Sequence, residues 1–167
     1  MKKLPIGIQD YKKIIEGNYI YVDKTKHILE LANSGVPTFL SRPRRFGKSL
    51  TISTFYYLFK GEKELFKETY IYDKWDFKEY PIIRLNLLKT TTENEEKFKE
   101  SLTKMIVQEG ERNGIEIKET DYKFSFDELI MKLSKKGKIV ILIDEYEKPI
   151  LDNITNKKEA ERYRKIL

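Results

Sequence analysis

Residues 36–50 read Val-Pro-Thr-Phe-Leu-Ser-Arg-Pro-Arg-Arg-Phe-Gly-Lys-Ser-Leu, and no other stretch limits the fold as much. The short apolar run Val36, Phe39 and Leu40 is expected to be a buried strand. A turn rich in Arg and Pro follows, and Gly47-Lys48-Ser49 then opens a helical pattern. Strand, loop and helix start in this order make a cradle for phosphate. The first amides of a helix have no intrahelical partner and point along the positive end of its dipole, so an anion fits there. Gly47 lets the backbone approach phosphate oxygens with no Cβ in the way. Lys48 is placed to reach the β- and γ-phosphates, and the Ser49 hydroxyl to take a Mg²⁺. The general pattern has a first glycine five residues before Gly47, where this chain has Arg42. A basic turn that only caps a helix is the alternative.

The second constraint lies downstream, in Lys138-Ile-Val-Ile-Leu-Ile-Asp-Glu145. Five consecutive apolar residues, mostly β-branched, suit a strand buried on both faces of a parallel sheet. Open α/β sheets bind ligands at the carboxyl ends of their strands, where Asp144 and Glu145 stand. This is the Walker B pattern. Asp144 would hold Mg²⁺ through water, and Glu145 would orient or deprotonate the attacking water. A core strand ending in two solvated acids is the alternative for this stretch alone. The two motifs in this order point to a nucleotide site.

Arg42-Pro-Arg-Arg-Phe-Gly-Lys-Ser-Leu50, Tyr21-Val-Asp-Lys-Thr25 and Leu142-Ile-Asp-Glu-Tyr-Glu-Lys-Pro-Ile150 resemble the signatures of the AAA-ATPase-like family, from about Leu4 to Asn153. Arg42 fits that family's own loop. Glu147 stands where the family usually shows Asp. The resemblance implies an α/β fold, a P-loop NTPase of AAA-like type with a mainly parallel sheet flanked by helices. It implies ATP and Mg²⁺ as cofactors, and ATP over GTP. Arg44, Arg45, Phe46, Gly47, Lys48, Ser49 and Leu50 would form the nucleotide-binding site, with Lys48 and the amides near Gly47 on the phosphates. Ser49 and Asp144 would hold the metal, and Glu145 with Lys48 would carry hydrolysis. Arg44 or Arg45 would add transition-state charge or report the γ-phosphate to a partner. Tyr21, Asp23 and Thr25 would border the base or phosphates, with a purely structural role as the alternative. Family members typically continue into a nuclease-like domain of the PD-(D/E)xK type.

Length and composition fit this reading. A chain of 167 residues can bury a real core. The absence of cysteine excludes disulfides and thiolate zinc, and fits a reducing cytoplasm. One histidine, His27, excludes His-rich metal sites and is expected on a helix surface. No apolar run approaches a membrane span. The net charge of +6 permits nucleic acid as a partner without requiring it. The arginines are Arg42, Arg44, Arg45, Arg84, Arg112, Arg162 and Arg164, and lysine fills the other 26 of 33 basic positions. Three arginines in one four-residue window suggest a bidentate phosphate donor, with pairing to nearby acids as the alternative.

Further elements are expected at Tyr11–Glu16 (helix), after Asp23 as N-cap (about ten residues) and at Lys48–Lys60, with Leu50, Ile52, Phe55, Leu58 and Phe59 inward. Strands are expected at 36–40, 82–87 and 138–143. Capping boxes at Thr92/Glu95 and Ser125/Glu128 would open the two helices between the last two strands. The aromatic stretch 69–80 is expected to be a satellite core rather than a platform for single-stranded nucleic acid. Lys157–Leu167 reads as a charged helix. The chain is expected to be one domain, with residues 1–35 as an N-terminal segment and 36–153 as the nucleotide-binding core. The strand expected after Walker B has no counterpart before Leu167, so a fragment of a longer protein, completion in a homo-oligomer and a shortened relic are the readings. A non-catalytic nucleotide- or nucleic-acid-binding module is the rival to an ATPase.

Overall fold

A computed structural model describes residues 2–43 and 45–166. The chain forms two compact units, Met1–Tyr80 and Pro81–Leu167.

The first unit is built on α1 (Tyr11–Glu16), α2 (Thr25–Asn33) and α3 (Lys48–Phe59). Asp10 caps α1 by accepting the Lys13 amide at 3.0 Å. The same carboxylate accepts the Tyr57 hydroxyl at 3.0 Å, and Ser53 Oγ accepts the Tyr11 amide at 2.9 Å, so α1 is fastened to α3. The buried face of α3 is Ser53, Thr54 and Leu58. This departs from the all-apolar face expected, of which Leu58 is buried while Leu50 and Phe55 pack at the margin. Both hydroxyls can be buried because both are bonded: Thr54 donates to the Leu50 carbonyl at 2.8 Å. The core joins Tyr11, Ile28, Leu58, Leu65, Phe66, Ile71 and Phe77. Residues 69–80 thus supply core, with Tyr72 and Trp75 packed against it.

The first expected strand is absent. Residues 37–43 have no regular structure, and Val36 and Phe39 are 65% and 63% exposed. Pro37 lacks the amide a ladder needs, and no strand pairs with this run among the described residues.

The second unit carries a parallel pair, β1 (Ile82–Asn86) and β2 (Val140–Asp144), with Ile83 opposite Ile141 and Asn86 opposite Asp144. The crossover runs through α4 (Glu95–Arg112) and α5 (Tyr122–Ser134). Ile83, Leu85, Phe98, Leu102, Met105, Ile106, Leu129 and Leu133 form its core. The Val140 amide donates to the Pro81 carbonyl, so the polar groups of Ile82 and Arg84 point to the outer edge of β1. Side chains of α4 and its cap close that edge. Glu109 Oε2 accepts the Arg84 amide at 2.9 Å, and Asn113 Nδ2 donates to the Ile82 carbonyl at 3.1 Å. On β2, Ile141 and Ile143 are 43% and 44% exposed, so this strand is not buried on both faces as expected. It has only one strand partner among the described residues.

The helix starts also differ from expectation. Asn94, not Thr92, caps α4, and Asp121, not Ser125, caps α5. Glu128 instead accepts the amides of Lys118 and Glu119. After β2 come α6 (Lys148–Leu151) and α7 (Lys157–Ile166), the latter anchored by Tyr163, 1% exposed and edge-on to Phe98. His27 lies on the surface of α2 beside Glu30. Among the described residues no helix is long and apolar enough to cross a membrane.

Candidate functional site

In the first unit the loop Ser41–Gly47 delivers the chain into α3. Arg44 lies outside the described residues. Arg45 adopts φ 69° and is exposed, and Phe46 is 64% exposed. The Phe46 amide donates to the Pro43 carbonyl at 3.3 Å, and Arg42 donates to the Phe46 carbonyl at 3.4 Å, so Arg42 closes the turn from within. Gly47 is the N-cap of α3 at φ 77°, a left-handed conformation that glycine adopts without a Cβ penalty. A Cβ built there would meet no atom within 4 Å, so the ground beside the helix start is open. Gly47 brings no side-chain cap of its own to α3. Lys48, Ser49 and Leu50 form its first turn and are half-buried. Arg45 to Leu50 therefore share one turn with open space beside its glycine.

The Tyr21–Thr25 segment is occupied by the fold. Asp23 accepts the Thr25 amide at 2.8 Å and the Tyr70 amide at 2.7 Å. Thr25 is fully buried and its hydroxyl accepts the Ile71 amide at 3.1 Å. These residues thus clamp the turn 69–74 onto α2, which is the structural alternative. Tyr21 packs edge-on to Tyr11, and burial pushes its hydroxyl up to about 12.

In the second unit the acid pair ends β2. Asp144 is 5% exposed, and its Oδ1 accepts the Glu145 amide at 3.0 Å. Glu145 has φ 55°, a left-handed conformation that costs a non-glycine residue about 1–2 kcal/mol. The turn holds it there, since the Lys148 amide donates to the Glu145 carbonyl at 3.0 Å. Among the described residues no three acidic or histidine side chains gather as a metal-holding group. The buried Asp144 carboxylate is an oxygen donor of the kind Mg²⁺ takes beside phosphate oxygens and water.

Two residues near the acid pair escaped sequence reasoning. Asn86 ends β1 in register with Asp144, and a polar residue closing an apolar strand was the available signal. Thr92 looked like a helix cap; its hydroxyl instead donates to Asp152 at 3.2 Å.

The chain matches the family described as predicted AAA-ATPase over residues 5–167. It is also 39% identical over 167 residues to a protein of Azotobacter chroococcum mcd 1 named "Uncharacterized protein in vnfD 5'region", covering 98% of this chain and 32% of that one. The chain thus spans about a third of the relative's length. No solved structure matches it. Family motifs and matched length agree, and the chain belongs to the predicted AAA-ATPase family.

Proposed function

We propose that this chain binds ATP and hydrolyses it with Mg²⁺ as a P-loop ATPase. The observation that carries the reading is the turn at Gly47: a left-handed glycine with open space beside it, followed at once by Lys48 and Ser49 on a helix of 12 residues whose N-cap has no side chain. Backbone amides at that helix start and the Lys48 ammonium bind the phosphates. Arg45, exposed on the same turn, adds charge toward the γ-phosphate, and Arg44 is assigned with it on sequence alone. Phe46 and Leu50 flank the cradle.

Ser49 and Asp144 are the residues that would hold the metal. When bound, Mg²⁺ would supply positive charge against the negative charge that develops in phosphoryl transfer. Glu145 orients the attacking water and accepts its proton. Burial of Asp144 and the tight turn at Glu145 support this division, because they fix where the two carboxyl groups begin. A nucleic-acid-related process is assigned as the beneficiary of turnover, and the net charge of +6 permits such a partner.

Glu145→Gln tests the assignment. It keeps side-chain shape and removes the base, so Mg·ATP binding should persist while phosphate release falls at least a hundredfold. Normal hydrolysis by this variant would remove Glu145 from the mechanism. Binding without hydrolysis in the parent chain would favour the rival, a non-catalytic nucleotide-binding module.

A further inference from the structure

The turn that carries Glu145 is tied to the last helix by an unbroken series of hydrogen bonds. Tyr163 of α7 donates to the Thr92 carbonyl at 3.1 Å. Thr92 Oγ1 donates to Asp152 Oδ2 at 3.2 Å, and Lys148 Nζ donates to the same oxygen at 2.6 Å. Lys148 returns to the acid pair through its amide, which donates to the Glu145 carbonyl at 3.0 Å. Every link lies in the second unit.

Local propensity does not explain this arrangement. α6 has four residues, far too few to persist as a free helix. Its Lys148–Asp152 pair has lysine before the acid, the weaker i,i+4 order. Glu145 occupies an unfavourable backbone conformation that needs outside support. Backbone clamps support it, Asp144 on its amide and Lys148 on its carbonyl, and the second clamp is fastened to Thr92 through Asp152.

We propose that Thr92, Asp152 and Lys148 are positioning residues for hydrolysis, a brace that holds Glu145 in register and passes the placement of α7 to it. The proposal rests on the ATPase reading for its catalytic consequence and on hydrogen-bond geometry for the brace itself. Asp152 is more than a third exposed, so its ion pair contributes little to global stability. The brace acts on geometry, and a displacement of about 1 Å at a reacting group can cost roughly a hundredfold in rate.

The test compares Thr92→Val, which removes the hydroxyl at constant shape, with Thr92→Ser, which keeps it. Asp152→Asn removes the charge that Lys148 meets. Two readouts are taken on the whole chain: steady-state hydrolysis of Mg·ATP, and amide hydrogen exchange over residues 145–148 without nucleotide. Thr92→Val and Asp152→Asn should speed exchange about tenfold and lower kcat at least tenfold, with KM within about threefold. Thr92→Ser should match the parent in both. Unchanged exchange in Thr92→Val would overturn the brace, and altered exchange with unchanged kcat would overturn its catalytic role. If the parent hydrolyses no ATP, the ATPase reading and that role fall together, while the exchange rates still decide whether the brace exists.

Discussion

Glu109 should matter to the fold as a hydrogen-bond acceptor rather than as a charge. It is 3% exposed, and Oε2 accepts the Arg84 amide at 2.9 Å on the outer edge of β1. Its other oxygen pairs with Arg112, whose side chain is 61% exposed. Glu109→Gln keeps an acceptor for Arg84 and loses only a largely solvated ion pair, a change of about 0–1 kcal/mol. Glu109→Ala leaves the Arg84 amide without that acceptor beside a buried sheet, which costs about 1–3 kcal/mol. Loss of the buried side-chain methylene adds about 0.8 kcal/mol. The alanine variant should therefore be roughly 2–4 kcal/mol less stable than the parent, and the glutamine variant nearly unchanged. Urea unfolding followed by far-ultraviolet circular dichroism measures both. Hydrogen exchange at the Arg84 amide should accelerate only in Glu109→Ala. If glutamine costs as much as alanine, or Arg84 is equally protected in both, the edge is held by something other than this bond.

Two glycines with similar φ should respond differently to alanine. Gly61 has φ 73°, and a Cβ there would lie 2.7 Å from the Phe77 carbonyl oxygen, so Gly61→Ala adds a clash to the left-handed strain of about 1–2 kcal/mol. Gly47→Ala meets open space and should show that strain alone, with a lower melting temperature but a smaller drop; equal drops would contradict the packing at Gly61. Glu128 is held down at about 2, first by Lys132 and then by the amides of Glu119 and Lys118. Its folded value lies below the unfolded value of about 4.3, so its stabilisation is full above that value and is lost as pH falls toward 2. The stability difference between parent and Glu128→Gln should be constant above about pH 5 and shrink below about pH 4; a difference that grows on acidification would refute the assignment.

The parallel pair was legible because residues 83–87 alternate apolar with polar side chains after Pro81 and residues 139–143 are an unbroken apolar run after Gly137, and period and length decide such cases. Helices α1, α3 and α7 were legible to within a residue or two for similar reasons. The run 36–40 misled because apolar content alone does not make a strand: Pro37 removes a ladder donor, and the five residues pair with no strand among the described residues. Thr92 and Ser125 misled because a hydroxyl followed three residues later by Glu is a local pattern, while their partners, Asp152 and the Glu119 carbonyl, are set by tertiary packing. Ser53 and Thr54 on the buried face of α3 belong to the same class. At the candidate site, the Gly47 turn and the acid pair were readable from motif spacing. The left-handed backbone of Glu145 and the series of bonds behind it were not, because they depend on how α6 and α7 return to the loop after β1.

Thermal unfolding of the parent chain and of Lys48→Ala, each with and without Mg·ATP, addresses the central claim most directly. Ligand at about a hundred times its Kd stabilises a native state by about 2.7 kcal/mol. For a chain of this length that is a rise of roughly 5–10 °C in the midpoint. The nucleotide-site account predicts that rise in the parent and none in Lys48→Ala. An equal rise in both would place binding away from the Gly47 turn, and no rise in the parent at saturating Mg·ATP would contradict nucleotide binding by this chain.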